Sequence, residues 1–233
     1  MPNFSVVTLF PSMFTSLQYG IIGRAIDQGK IQLTYFNPRF YTHNKHGYVD
    51  DTPYGGGPGM ILKAEPMINA ISAAKEQQTA GHVIALSPCG QPFNQQLANR
   101  LSKKKHLILV CGRYEGIDQR AIDHSCDELI SAGDYIVSGG ELPAMMMIDA
   151  ITRLIPNVLN NQNSLVDESF NQSGLSYPQY TKPTQVAGLK VPSVLQNGNH
   201  QAITQWRKKA SKQLTLDNRP DLIASSKSSD ANE

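Results

Sequence analysis

Cysteine is scarce in this sequence, and the three that occur, Cys89, Cys111 and Cys126, show no paired C-x-x-C spacing. An odd number of cysteines argues against a disulfide framework and against a zinc knuckle, so we expect a protein of the reducing cytoplasm. No apolar run approaches the roughly 20 residues that a membrane span needs. The N-terminal stretch MPNFSVVTLF has no basic segment ahead of an apolar one, which predicts a soluble, unexported protein.

A strong charge of either sign is also missing. The net charge is +2, from 21 Lys and Arg against 19 Asp and Glu in 233 residues. This balance excludes a polybasic, histone-like protein. Hydrophobic residues make up 40% of the chain, enough for a sizeable core. The length predicts one main domain with a smaller appendage.

Two signatures of nucleotide binding are absent. The chain contains neither the phosphate loop G-x-x-x-x-G-K-[ST] nor the dinucleotide fingerprint G-x-G-x-x-G. The stretch YGGGPGM at 54–60 does not supply the second, because its third required glycine would fall at Met60. Ordinary nucleoside triphosphate and NAD sites are therefore disfavoured.

Strand patterns and helix patterns alternate along residues 1 to about 155. Strands are predicted where β-branched and apolar residues run together, and helices where apolar residues recur at helical spacing. The run HLILVC at 106–111 is almost uniformly apolar, as in parallel strands covered on both faces. The sequence therefore predicts an α/β fold with a mostly parallel sheet. The predicted strands are 4–10, 31–36, 82–87 and 106–111, with short ones in CDELI (126–130) and YIV (135–137); the predicted helices are two between 13 and 29, then 65–78, 93–103, 117–124 and 141–155.

Two stretches break this alternation. The polar segment 37–60 is a long loop, and structureless loops of that length are usually functional or mobile. After Pro156 the chain becomes rich in Asn, Gln and Ser, which indicates a linker or lid. Beyond it, a helix with a basic face is predicted at 200–214. The predicted domains are an α/β domain at 1–160, a flexible linker or lid at 161–176, a small helical domain at 177–220 and a disordered tail at 221–233.

Three predicted strand ends run into glycine-rich turns: SPCG (87–90), VCGRYEGID (110–118) and SAGDYIVSGGELP (131–143). In open α/β sheets, ligands bind beyond the carboxyl ends of the strands, where glycine lets the backbone approach them. Each turn alone indicates only a tight turn, but together they favour a small-molecule pocket built mostly from main chain. With charged phosphates disfavoured, the ligand expected is one with an adenine-like ring and little negative charge.

These turns belong to a longer series of motifs whose order and spacing resemble the bacterial tRNA (guanine-N1)-methyltransferase family. That family is part of the SPOUT class of knotted α/β methyltransferases, which use S-adenosylmethionine. The resemblance covers residues 4 to about 207 and implies a deep C-terminal trefoil knot plus a small helical C-terminal domain. The motifs are LFPSMF, GRA (23–25), VDDTPYGGGPGM, SPCG, LVCGRYEGID, GDYIVSGGELP, RLIPNVL, ESF and YTKP.

The resemblance also implies which residues hold the cofactor and how the chain assembles. The family binds S-adenosylmethionine in the knot and forms homodimers with the active site at the subunit interface. The apolar helix PAMMMIDAI (143–151) is the candidate interface element, although a Met-rich helical face is more often ordinary core. The implied cofactor residues are Leu86, Ser87, Pro88, Gly90, Gly112, Tyr114, Glu115, Gly116, Ser131, Ala132, Gly133, Tyr135, Val137, Gly139, Gly140 and Pro143.

The reaction of the family requires a base and a cation. Guanine N1 carries a proton, so a carboxylate must remove it, and a cation must stabilise the charge that grows on O6. The resemblance assigns the cation to Arg153. At the position of the family's Asp base stands Glu168, preceded by Asp167. Either Glu168 is the base, or Asp167 takes over through a one-residue slip, or the enzyme is slow. The family commonly has an acidic residue at the position of Ser176 and Arg at that of Lys182.

Several basic and glycine-rich positions are available to meet a tRNA. Residues 200–219 hold five basic side chains against one acidic, which suits phosphate contacts but also describes a solvated helix face. Trp206 either packs the small domain or stacks on a base. The positions available to meet a tRNA include His43, Lys45, Lys209 and Lys212. The predicted RNA contacts are Arg24, His46, Asp50, Gly55, Gly56, Gly57, Trp206, Arg207 and Lys208.

A metal centre is not predicted. His43, His46, Asp50 and Asp51 fit no structural zinc spacing. Magnesium assists the family, but no dedicated ligand set for it is visible in the sequence.

The resemblance implies transfer of a methyl group to N1 of the guanosine 3′-adjacent to the anticodon, position 37, by a cytoplasmic homodimer. Two alternatives stay open. One is a related knotted methyltransferase acting on another RNA. The other is a SPOUT-type RNA-binding protein that keeps the cofactor pocket but has lost efficient catalysis.

Overall fold

The computed structural model describes residues 2–77, 81–159, 167–171 and 174–223. The chain divides into two compact units, Met1–Asn160 and Asn161–Glu233, which are described separately. Much of the predicted linker 161–176 lies outside the described residues. Of the predicted tail, residues 221–223 form a helical turn, and the remainder lies outside the described residues.

A five-stranded parallel sheet forms the centre of the first unit and confirms the predicted α/β class. Its strand order is β2-β1-β6-β5-β7, and every neighbouring pair runs parallel. Two short strands, β3 and β4, pair antiparallel beside it. The strands are β1 (Asn3–Val7), β2 (Gln32–Phe36), β3 (Asp50–Asp51), β4 (Ile61–Leu62), β5 (His82–Pro92), β6 (His106–Cys111) and β7 (Glu128–Ser131).

Helices alternate with the strands along the chain. Some begin at a side chain that caps the free backbone N–H groups of the first turn: Asn94 accepts from Leu97 N, and Asp118 accepts from Arg120 N. Two 3₁₀ helices, Pro11–Gln18 and Pro38–Tyr41, complete the first unit; the second lies inside the predicted loop 37–60. The α-helices are α1 (Gly20–Asp27), α2 (Ala64–Gln77), α3 (Gln95–Leu101), α4 (Gln119–Ser125) and α5 (Glu141–Thr152).

The core lies on both faces of the sheet, because successive side chains of a strand point to opposite sides. Every residue of β6 is buried. Leu107 and Leu109 pack in a cluster with α1, α3 and α5. Ile108 and Val110 pack in the other cluster, with α2 and α4. The uniformly apolar run therefore marks a central strand, as its sequence predicted.

Three strand predictions need correction. The first strand ends at Val7, short of the predicted Phe10. The stretch YIV at 135–137 is not a strand but part of an irregular loop. The stretch SPCG does not follow β5 but lies inside it: Leu86 and Gln91 both pair with Ile130, so Ser87–Gly90 form a bulge.

Gly90 explains how the bulge fits against β7. A β-carbon at Gly90 would lie 2.4 Å from the backbone nitrogen of Ile130. Because that obstacle is backbone, it cannot rotate away. We expect Gly90→Ala to lower the free energy of unfolding by about 3 kcal/mol, measured by urea denaturation. Cys89→Ala, an exposed change in the same bulge, should stay within about 0.5 kcal/mol of wild type. Equal stabilities for the two variants would contradict this account.

The second unit contains one long helix and a hairpin. The helix α6 (His200–Asn218) confirms the predicted basic helix and extends it by one turn. Strands β8 (Gln185–Val186) and β9 (Leu189–Lys190) form the hairpin, and a 3₁₀ turn spans Ser193–Leu195. None of the helices in the described residues is long and apolar enough to cross a membrane.

Candidate active site

A cavity of about 450 Å³ opens at the bulge of β5 and at the carboxyl ends of β6 and β7. Its volume falls in the range of small-molecule sites. The bulge of β5, the loop after β6 and the loop after β7 supply most of its walls. The lining residues are 85–89, 112–117, 119, 122, 130–133, 135–140 and 143.

The structure brings the three predicted glycine-rich segments together around this one cavity. All of the predicted cofactor residues except Gly90 line it. Gly90 instead packs against the backbone of β7. Among the described lining residues, only Arg113 and Glu115 are charged. The walls are otherwise backbone, apolar groups and neutral polar side chains, which suit an uncharged ring better than a polyphosphate.

The loop after β6 is held in place by the segment that ends the glycine-rich stretch 54–60. Glu115 N donates to Met60 O at 2.9 Å, and Leu62 N donates to Gly116 O at 3.0 Å. Tyr114 adopts a φ of 60°, a region that non-glycine residues seldom occupy. Such backbone strain persists only where the surroundings impose it, and it is common at ligand sites.

The loop after β7 is also fixed by local contacts. The Ser131 hydroxyl donates to Gly133 O at 3.1 Å and accepts from Gly133 N at 3.2 Å. The Tyr135 hydroxyl donates to Ala132 O at 3.2 Å. At its end, Gly140 N donates to Gly112 O at 2.9 Å, which joins this loop to the one after β6. The cavity walls are thus tied to one another by backbone hydrogen bonds.

Sequence reasoning missed a charged pair at the edge of the cavity. Glu141 is fully buried, and its carboxylate accepts from Arg113 Nε and from the Thr8 hydroxyl, each at 2.8 Å. Burial, with the Glu141 charge adding to it, raises the pKa of the nearby Cys111 thiol well above its usual value. The available signal was that Arg113 and Glu141 each directly follow a glycine in a glycine-rich motif. Nothing in the sequence indicates that the two residues meet.

The predicted catalytic residues fall in different units. Arg153 follows α5 in the first unit, where its N–H donates to Asp149 O at 3.2 Å. Asp167 and Glu168 belong to the second unit. There the Asp167 carboxylate accepts from the Tyr177 hydroxyl at 3.2 Å, and Arg207 stacks over the Tyr177 ring at 4.7 Å. Burial and the Asp167 carboxylate raise the pKa of Tyr177 by more than the Arg207 charge lowers it, so the phenol stays protonated and donates.

Ser169 and Ser176 lie close together in the second unit. The hydroxyl oxygens of Ser169 and Ser176 lie 3.1 Å apart, and Ser176 N donates to the Ser169 hydroxyl at 2.9 Å. Leu175 N in turn donates to the Thr215 hydroxyl of α6 at 2.9 Å. The segment that contains the candidate base is therefore anchored to the helix of its own unit.

The predicted RNA contacts are also divided between the units. Arg24 is exposed on α1, Asp50 lies in β3, and His46 stacks beside Tyr48 with ring centroids 5.7 Å apart. In the second unit, Trp206 packs 6.3 Å from the Tyr180 ring, while Arg207 and Lys208 are exposed on α6. Gly55, Gly56 and Gly57 are exposed, and all three have positive φ.

The histidines considered above as metal ligands make other contacts. His43 Nε2 lies 3.3 Å from a carboxylate oxygen of Glu65. Asp51 instead pairs with Lys63 at 3.1 Å. Within the described part of the chain, no group of three or more His, Cys, Asp or Glu side chains is arranged to hold a metal ion.

Comparison with known proteins gives a consistent result. A family model described as tRNA (Guanine-1)-methyltransferase TrmD matches residues 2–225. A tRNA (guanine-N(1)-)-methyltransferase of Neisseria meningitidis serogroup B is 52% identical over 219 residues, covering 93% of this chain and 88% of the relative. Proteins of the same name from Pseudoalteromonas atlantica and Lacticaseibacillus paracasei are 50% and 49% identical; each alignment covers 94% of this chain, and they cover 84% and 86% of those relatives.

Proposed function

Because this chain belongs to the tRNA (guanine-1)-methyltransferase family, we propose that it methylates N1 of guanosine 37, the nucleotide 3′-adjacent to the anticodon. Membership makes it a tRNA (guanine-N1)-methyltransferase, and such a methyltransferase implies S-adenosylmethionine as methyl donor. Beyond family membership, we propose the position of the guanosine, the catalytic residues and the assembly. The observation that supports a site for the methyl donor is the cavity walled by the three glycine-rich segments.

The cavity fits the proposed cofactor by its volume and by the chemistry of its walls. Its walls are mostly backbone and apolar groups, and the sequence around it contains none of the usual phosphate-binding loops. The 450 Å³ volume accommodates a nucleoside with a short amino-acid arm. When bound, S-adenosylmethionine supplies an electrophilic methyl group on a positively charged sulfur.

The proposed deep trefoil knot is supported by the crowding of strand ends at the cavity. In the order β2-β1-β6-β5-β7, the strand β6 lies between β1 and β5. The chain therefore forms β5 first and then inserts β6 between β5 and β1. The loop after β7 then returns to the end of β6, where an isolated bridge joins Arg113 and Gly139. A chain that doubles back in this way is compatible with a knot that holds the cofactor in a bent shape.

Glu168 is proposed as the base that removes the N1 proton. The proton moves from guanine N1 to the carboxylate, and the freed lone pair of N1 would take the methyl group as the sulfur–methyl bond of the cofactor breaks and its electron pair stays on sulfur. Asp167 is already the acceptor of the Tyr177 hydrogen bond, which occupies it within its own unit. Glu168 is preferred to Asp167 for the chemical step because it stands at the position that the family resemblance gives to the base.

Arg153 is proposed to stabilise the charge on O6. As N1 loses its proton, negative charge spreads to O6, and a positioned guanidinium lowers the barrier because it is oriented before the charge appears. Arg153 stands immediately after α5, whose hydrogen-bonded backbone fixes the start of its side chain.

We propose that two copies of the chain form a homodimer with the active site at their interface. Leu142 and Met146 are half-exposed on α5 and lie one helical turn apart. Ile136, in the loop after β7, is 81% exposed. Apolar side chains exposed together beside a ligand cavity are typical of a surface that a partner covers.

Placing a charge on this surface should dissociate the dimer. We expect Met146→Lys to elute as a monomer and to lose most of its methyl-transfer activity, as measured by light scattering coupled to size exclusion and by tRNA methylation. The matched control is Leu189→Lys, which changes an apolar residue of the β8–β9 hairpin that is more exposed than Met146, 78% against 54%, and should remain a dimer. A wild-type protein that is monomeric and active would contradict the proposed assembly.

The second unit is proposed to contact the tRNA. Arg207, Lys208, Lys209 and Lys212 are exposed on α6 and can approach phosphates. The first unit, residues 1–160, is proposed to bind the cofactor. The free cysteines support a reducing compartment, and we place the protein in the cytoplasm. No ligand set is proposed for magnesium.

The experiment that tests this function is transfer of labelled methyl from S-adenosylmethionine to two tRNA transcripts that differ only at position 37. We expect labelling of the transcript with guanosine 37 and none of the transcript with adenosine 37. Equal labelling of both would direct the activity to another nucleotide. Cofactor binding without labelling of either would favour a binding protein with an impaired site.

A further inference from the structure

The buried pair of Arg113 and Glu141 has no part in the mechanism above, yet it lies at the wall of the cofactor cavity. Glu141 is completely buried, and the Arg113 side chain is 17% exposed. The carboxylate uses both oxygens: Oε1 accepts from the Thr8 hydroxyl and Oε2 accepts from Arg113 Nε, each at 2.8 Å. Glu141 also opens α5, where the free N–H groups of a helix favour a negative charge.

Stability alone does not account for such a pair. Removing two charges from water often costs as much as their attraction returns, and apolar replacements of similar volume are frequently neutral or stabilising. A buried ion pair does, however, fix the positions of the groups that it joins, because both partners must keep their geometry. The question is which part of the molecule this pair positions.

The guanidinium of Arg113 points to the answer. Its Nη1 donates to Ser138 O at 3.2 Å, and the group stacks over the Phe10 ring at 4.5 Å. It also fills the space beside Gly139, where a β-carbon would lie 2.3 Å from Arg113 Nε. The backbones of Arg113 and Gly139 form a bridge as well. Arg113 therefore holds the last part of the loop after β7, and Ser138 and Gly139 both line the cavity.

We propose that Glu141 is a positioning residue for cofactor binding. By fixing Arg113, it keeps Ser138 and Gly139 at the separation from β6 that the bound cofactor requires. The inference rests on the proposed function, since it takes the cavity as the S-adenosylmethionine site. It assigns Glu141 no contact with the cofactor, because the side chain acts through Arg113.

The test compares cofactor affinity with stability in the full-length protein. The probe is S-adenosylhomocysteine, titrated calorimetrically. Glu141→Gln keeps the shape but removes the charge that orients Arg113, so we expect the Kd to rise about ten- to a hundredfold. The KM for S-adenosylmethionine should rise in parallel, with kcat at saturation within about twofold of wild type, as for an interaction made equally before and during the reaction.

Thr8→Val is the matched variant for a purely structural role. It removes the other hydrogen bond to Glu141 and leaves Arg113 paired, so the melting temperature should fall while the Kd stays within about twofold. If Glu141→Gln does not fold, the double variant Arg113→Gln with Glu141→Gln, which leaves no unpaired buried charge, takes its place with the same expected rise in Kd. Arg100→Gln with Glu128→Gln removes an Arg–Glu pair outside the cavity and should not change the Kd.

The outcomes separate the two proposals. A wild-type protein that does not bind S-adenosylhomocysteine refutes the proposed function rather than this inference. If wild type binds, and the Glu141→Gln protein or its double-variant substitute binds equally well, the inference is wrong. It is also wrong if Thr8→Val weakens binding as much as Glu141→Gln does, because the effect then follows stability and not the position of the loop.

Discussion

Replacing Glu168 by alanine is expected to slow methyl transfer by about 10²- to 10⁴-fold while leaving cofactor affinity nearly unchanged, because a general base typically contributes that factor. Guanine N1 is protonated at neutral pH and cannot attack until the proton has left. The cofactor cavity lies wholly in the first unit, and Glu168 belongs to the second. Single-turnover transfer to a guanosine 37 transcript measures the rate, and calorimetry with S-adenosylhomocysteine measures the affinity.

Asp167→Ala is the matched control for Glu168→Ala. Asp167 accepts the hydrogen bond of Tyr177, so its loss should weaken the packing of the second unit more than the chemistry. We expect a smaller fall in rate, of about tenfold or less, the equivalent of one hydrogen bond. If Asp167→Ala is inactive and Glu168→Ala is active, the base is Asp167, reached by a one-residue slip.

The length of the Glu168 side chain gives a finer test. Glu is one methylene longer than the Asp that the family resemblance implies here, and a misplacement of about 1 Å can cost on the order of a hundredfold. If the backbone of this chain has adapted to Glu, Glu168→Asp should be slower than wild type. A faster Glu168→Asp variant would identify wild type as an impaired relative.

Arg153→Ala is expected to lower the transfer rate by about 10²- to 10³-fold, the usual effect of removing one group that stabilises a developing oxyanion. The effect should fall on kcat, because the charge on O6 exists only after N1 has lost its proton. Free guanidinium added to the Arg153→Ala protein should restore part of the rate. Added guanidinium should not help Glu168→Ala, which keeps its arginine and lacks a base.

Binding measurements decide whether Arg153 has this role. S-adenosylhomocysteine should bind Arg153→Ala with nearly wild-type affinity, since Arg153 does not line the cavity. A loss of affinity that matches the loss of rate would instead make Arg153 part of the cofactor site.

The sequence predicted the parts of the fold that depend on local patterns. The strand β6 was predicted because five of its six residues are apolar, all except His106, and because turns flank it in the sequence. The stretch YIV was wrongly predicted as a strand, because its β-branched and aromatic residues line the cavity instead of joining the sheet. Tertiary position overrode local propensity there.

The site was predictable in outline and not in its connections. Glycines at strand ends indicated a backbone-lined pocket, and the structure has one at that edge. The pairing of Arg113 with Glu141 joins the loop after β6 to the first residue of α5, 28 residues later, so no spacing rule could indicate it. The same holds for Asp167 and Tyr177. The bulge of β5 depends on the close approach of Gly90 to β7, which becomes visible only once the strands are paired.

The measurement that tests the central claim most directly is the identity and position of the modified nucleoside. Unmodified tRNA with guanosine at position 37 is incubated with the wild-type protein and S-adenosylmethionine, digested with a base-specific ribonuclease, and analysed by mass spectrometry. We predict 1-methylguanosine in the fragment that contains position 37 and in no other fragment. A methyl group on another atom, or on a nucleotide outside that fragment, would contradict the proposed function and make this chain a methyltransferase of different specificity.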